Sequence, residues 1–154
     1  PMRSNGLYEL GLALIQKGQY SAANDTLEEL LRTNLDSPLA PSALFEVGQL
    51  LRWQGKPEDA AARYRELLWS FPSFPRRRQV QINLADIHFG LAEFGLALRL
   101  YRQSARSVET DGTVWRQIAK CHRQRGETKE ALAILQTVAA NNYLPLHITL
   151  SGLT

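Results

Sequence analysis

His88 and His122 stand at matching places, each three residues after an alanine (Ala85, Ala119), in stretches that repeat one another. Two imidazoles on stacked helices could share a metal ion, but zinc takes three or four ligands. The further donor beside them is Cys121, and helical spacing turns it to a different face from His122. Each ring therefore reads as filling a slot between helices, with one nitrogen hydrogen-bonded locally. Cys121, the only cysteine, lies beside Ile118 and Ala119 and reads as a buried, inert thiol. No metal or cofactor is expected.

Other residue types capable of chemistry also fail to assemble. The acidic pairs Glu28-Glu29 and Glu58-Asp59 fall on the starts or outer faces of helices, where they suit the dipole and solvent. Neither pair is partnered as an acid and a base. Glycines at Gly11, Gly18, Gly48, Gly55 and Gly126 follow no strand and form no Gly-Lys-Ser/Thr phosphate loop. An enzyme is not expected.

Two basic features remain. Arg76-Arg77-Arg78 follows Pro75; it could grip phosphate or an acidic partner, and the reading favoured here is a solvated loop that discourages aggregation. Between Thr113 and Gly126 there are Arg116, Lys120, Arg123 and Arg125 and no acidic residue. The first three follow i, i+4, i+7 spacing and share one helix face. A formal net charge of +3 over 154 residues is too small to signal nucleic acid by itself. Apart from Trp115 no aromatic is interleaved with the stripe for base stacking, so nucleic acid is disfavoured.

The elements that must carry these residues come from a repeat. Ala23, Ala60, Ala97 and Ala131 each have glycine or alanine twelve residues earlier (Gly11, Gly48, Ala85, Ala119) and leucine or tyrosine four later (Leu27, Tyr64, Tyr101, Leu135). The register recurs after 37, 37 and 34 residues and divides the chain into 4–40, 41–77, 78–111 and 112–145. Each unit reads as two helices. In the second, Leu44, Val47, Leu50 and Leu51 give one apolar face from Pro41 to Trp53, and Gln54-Gly55-Lys56-Pro57 breaks it. From Glu58 to Ser70 a second stripe runs through Ala60, Ala61, Tyr64, Leu67 and Leu68 until Phe71-Pro72 stops it. Gly18, Ala92 and Gly126 hold the inner turns of the other units.

This pattern resembles the tetratricopeptide repeat, in which Trp, Leu-Gly, Tyr, Ala, Phe and Pro recur over about 34 residues. The matches are Leu10-Gly11 and Ala23; Gly48, Ala60, Tyr64 and Pro72; Leu84, Ala97 and Tyr101; and Trp115, Ala119 and Ala131. Gln81 and His88 depart from it at large apolar positions, so the third repeat is expected to pack less tightly. The turns Leu67 to Pro75 and Leu30 to Pro38 also resemble, weakly, those of bacterial envelope repeat proteins of the outer-membrane-assembly and Tol-Pal-associated groups. The resemblance implies an all-α, right-handed superhelical solenoid of about four helix-turn-helix repeats, with residues 146–154 starting a further helix or a tail. It also implies a concave groove lined by the first helices. Carried over, the groove positions are Tyr8, Leu12 and Ile15; Phe45, Gln49, Arg52 and Trp53; Gln79, Ile82, Asp86 and Phe89; and Arg116, Lys120 and Arg123.

Such a groove is apolar and aromatic at one end and basic at the other. The lysine and asparagine clamp with which some members hold chaperone tails is absent from the first two repeats, where Tyr8, Leu12, Phe45 and Gln49 stand. Exposed Tyr8, Phe45, Trp53 and Phe89 would mark a contact surface, unless neighbouring repeats cover them. The expected function is non-enzymatic binding of a protein or peptide segment with hydrophobic anchors and an acidic end. The alternative is a scaffold segment of a larger assembly, bacterial envelope complexes included. Self-association through uncapped ends is a further expectation. Pro1-Met2 and the apolar stretch from Leu144 to Leu150 suggest a piece of a longer protein, or a chain with a tag scar. No apolar run approaches the roughly 20 residues that cross a bilayer, and no signal peptide is visible. That leaves the compartment open between cytoplasm and bacterial periplasm.

Overall fold

Small residues at the alanine register let paired helices approach until side chain meets backbone. A computed structural model describes the backbone of residues 2–151 and the side chains of residues 2–141. Among the described residues there are eight helices and no strand: α1 (Met2–Gln16), α2 (Tyr20–Thr33), α3 (Ala40–Trp53), α4 (Pro57–Ser70), α5 (Arg77–Gly90), α6 (Phe94–Ser104), α7 (Gly112–Gln124) and α8 (Thr128–Ser151). The all-α class and the two-helix repeat are thus observed. α8 runs through Pro145 to Ser151. His147 lies outside the residues whose side chains are described.

The chain forms two compact units, residues 1–80 and 81–154, divided within α5. In the first, α1 packs on α2, α2 on α3 and α3 on α4. Gly11 and Gly48 are required by close approach, since a Cβ on Gly11 would stand 2.6 Å from Cδ2 of Leu27. Leu27, Leu30, Leu44, Val47, Leu50, Tyr64 and Leu67 are fully enclosed. Pro57 takes the first turn of α4 with Glu58 and Asp59 behind it, as the missing N–H and the dipole favour. Arg63 on α4 forks the Glu28 carboxylate of α2, Nε to Oε1 at 3.0 Å and Nη2 to Oε2 at 2.7 Å, and reaches Glu66 at 2.9 Å.

The arginine triplet belongs to this packing. The Arg76 guanidinium lies 4.0 Å from the centroid of Phe45 and 3.6 Å from Glu46. Arg77 Nη1 donates to the Leu68 carbonyl at 2.9 Å, satisfying an end group of α4. A solvated loop was the expected reading, and these two side chains correct it. The Phe45 ring attracts the Arg76 cation through its quadrupole, and Arg77 gives the Leu68 carbonyl a donor.

In the second unit α6 packs on α7 and α7 on α8. Ala85, Ala97, Leu98, Tyr101, Val114, Ile118 and Cys121 form one cluster. His88 and His122 occupy the slots assigned to them, 7 % and 5 % exposed. Their Nδ1 atoms lie 2.5 Å from Glu93 and Glu127, each five residues on, across the turn of their own hairpin. At three inner turns a glycine takes positive φ (Gly18, Gly55, Gly126), and at the fourth Ala92 does so at φ 61°.

Candidate protein-binding surface

Arg116, Lys120 and Arg123 come together on one face of α7, as their spacing predicts. All three are exposed, and they rim a hollow of about 140 Å³ whose remaining wall is Ala119, Ala131 and Leu135. Arg116 Nη2 is steadied by Thr113 Oγ1 at 3.1 Å. The floor comes from the alanine register itself: Ala119 and Ala131 are nearly enclosed, while Leu135 is 42 % exposed. Leu135 matches Tyr101 of the preceding repeat, which is 1 % exposed. The floor was missed as a candidate, because sequence spacing marked these residues as core. The residue type of Leu135 gave no signal, since Leu27 holds the same place in the first repeat and is fully enclosed.

The other candidates divide between the two units. In residues 1–80, Tyr8, Leu12, Gln49 and Arg52 are half-buried. Trp53 is 58 % exposed and leans on Tyr20, centroids 5.5 Å apart. Phe45 is a correction. It is 2 % exposed, because the turn before α5 folds back and places Phe74 at 6.0 Å and Arg76 at 4.0 Å from its ring centre. Tyr8 lies beside the Ser42 hydroxyl and the charges of Glu46 and Arg76; burial first and Glu46 second hold its phenol above the ordinary range. Burial likewise raises the Glu46 carboxyl, against the pull of Arg76.

In residues 81–154, Ile82 and Phe89 are half-buried against the core cluster. Phe89 meets Phe94 edge-on at 5.2 Å. Asp86, expected to face a ligand, accepts the Tyr101 hydroxyl on Oδ1 at 2.5 Å and is thereby pinned to α6. The apolar patch foreseen from Tyr8, Phe45, Trp53 and Phe89 is therefore reduced in residues 1–80 to a Trp53–Tyr20 pair and a half-covered Tyr8.

A wider cleft of about 570 Å³ lies between α2 and α4. Its guanidinium, Arg63, is already held by Glu28 and Glu66. Among the described residues no three His, Cys, Asp or Glu side chains gather as metal ligands would. No helix among them is long and apolar enough to cross a membrane.

The sequence model for the Tetratricopeptide repeat matches residues 8–78, 50–111 and 82–145. The chain belongs to the tetratricopeptide repeat family. Solved structures agree in fold. MamA 41-end from Desulfovibrio magneticus RS-1 superposes with a TM-score of 0.78 at 13% identity, over 92% of this chain and 76% of that one. MamA from AMB-1 gives 0.77 at 20% identity, over 89% and 72%. The putative kinesin light chain repeats of Podosopora anserina give 0.76 at 19% identity, over 94% and 77%. A search of curated proteins found no match. Tetratricopeptide repeats serve as protein-interaction and scaffold modules, and the family is as a rule non-enzymatic. In this tetratricopeptide chain the exposed Arg116, Lys120 and Arg123 stand together at the hollow between α7 and α8.

Proposed function

We propose that the chain captures a protein segment bearing acidic side chains beside a small apolar anchor. The hollow on α7 and α8 is the observation that carries this reading. Three cations surround an apolar floor there, and no carboxylate lies between Thr113 and Gly126 to neutralise them. Leu135 offers the anchor a partly open apolar seat, and the long stems of Arg116, Lys120 and Arg123 add apolar walls beneath their charges. An acidic segment gains charge-assisted hydrogen bonds at the rim and burial at the floor. Rim charges act mostly on the rate of encounter and on salt dependence.

The test is capture of the native partner by the wild-type chain and by Arg116→Glu/Lys120→Glu, with helicity checked by circular dichroism. Loss of capture with helicity intact supports the reading. Undiminished capture by the charge-reversed chain overturns it.

The scaffold reading keeps one supporting observation. Phe45 and Trp53, the aromatic positions of α3 carried over for ligand binding, spend their rings on Phe74, Arg76 and Tyr20 within the chain itself. If the native assembly buries the α7 and α8 hollow under a permanent neighbour, the scaffold role is the one in use.

A further inference from the structure

His122 stands between two groups of opposite charge. Its Nδ1 is 2.5 Å from Oε2 of Glu127, in the turn leading to α8. Its Nε2 is 3.0 Å from Nη2 of Arg102, on α6. A guanidinium carries N–H donors and no acceptor, and it does not surrender its proton in proteins. Nε2 must therefore be bare and accepting, and Nδ1 must carry the proton that the carboxylate accepts. The donor inventory thus fixes the ring as the neutral Nδ1–H tautomer. Behind Glu127 lies Arg125, 2.9 Å from Oε1. On α7 the neighbouring side chain is the buried Cys121 thiol.

We propose that Arg102 and His122 form a proton-controlled latch between repeats three and four. When the ring takes a second proton from solvent, an N–H replaces the lone pair facing Arg102. The hydrogen bond is then lost and two cations face each other. Arg102 is exposed and can swing into water. The bond to Glu127 survives and gains a full charge on the donor side. Acid thus loosens α6 from α7 and tightens α7 to α8, so the joint gives way while the hairpin holds. Within repeat three, His88 and Glu93 form the same clip across their own turn.

Cys121 reports on the joint, because it packs in the cluster that α6 and α7 share. The full chain is labelled under native conditions with 4,4′-dithiodipyridine at pH 8 and pH 5.5, and each rate is corrected for the thiolate fraction. Wild type is compared with Arg102→Met and Arg102→Lys, and the ring nitrogens of His122 are followed by ¹⁵N NMR. At pH 8 the ring should show the Nδ1–H tautomer. On acidification corrected labelling should rise about tenfold in wild type, the scale of one lost charged hydrogen bond. Arg102→Lys, still a cationic donor, should keep that rise, and Arg102→Met should abolish it. An Nε2–H tautomer at pH 8 would overturn the latch. So would a parallel pH response in wild type and Arg102→Met, or the absence of a rise in wild type. Should Arg102→Met fail to fold, the tautomer and the wild-type and lysine rates decide the matter.

Discussion

Gly48 lies against the ring of Tyr64 so closely that a methyl group at its Cα would stand 2.4 Å from Cε1. The ring is fully enclosed and has no room to retreat. Gly48→Ala should therefore destabilise the fold by about 1–3 kcal/mol, the usual cost of overpacking, in spite of alanine's better helix propensity. Urea unfolding measures it. At Gly11 the neighbour is Leu27, at 2.6 Å and equally enclosed, but its branched chain can turn about sp³ torsions where the Tyr64 ring moves as a rigid plate, and Gly11→Ala should cost less. Equal losses at the two sites would contradict this account.

Ala92 occupies the left-handed turn position that glycine holds in the other three hairpins. An alanine there bears about 1–2 kcal/mol of steric strain. Part of the relief is offset by the greater freedom of glycine in the unfolded chain. Ala92→Gly should raise stability by about 0.5–1 kcal/mol, seen as a higher urea midpoint at an unchanged slope.

Glu46 gives a pH test. Burial holds its folded carboxyl above the reference value of 4.5, so the folded state binds this proton more tightly than the unfolded state. The stabilising contribution is full below the unfolded value and is lost as pH rises through the folded one. Glu46→Gln, which can still accept from Arg76, should flatten stability across the range just above pH 4.5 and leave the variant at least as stable as wild type at pH 7. A variant that loses stability at pH 7 would show that the Arg76 pair outweighs burial.

The Cys121 thiol is raised to about 11, chiefly by burial, and none of its surface is exposed. Iodoacetamide needs the thiolate. At pH 8 the native chain should stay unalkylated over hours, and the same chain in denaturant should react within minutes. Mass spectrometry distinguishes the two.

Much of the fold was legible because the small residues at Gly11 and Gly48 must leave room for the large side chains of Leu27 and Tyr64 on their partner helices, and periodicity records that demand directly. The basic triad on α7 was legible for the same reason, since one helix fixes its face. Phe45 was not. Its cover comes from Phe74 and Arg76, some thirty residues on, and helical spacing carries no information about a turn that folds back. Asp86 was misread on similar grounds, because the Tyr101 hydroxyl that holds it belongs to another helix. The His-Glu clips were half visible. Both histidines were assigned a local partner, yet the glutamate five residues on repeats in both hairpins and went unused.

The connector from Phe71 to Arg76 is no longer than the one between α6 and α7; the second repeat owes its extra length to α4, which has 14 residues where α6 has 11. What the connector does supply is a lid of one ring and one cation for Phe45. Connector composition is therefore a second alphabet in such arrays, written beside the helices. Two repeats with identical helices can differ in which surfaces stay open simply because one connector carries the residues that reach back and close its own door.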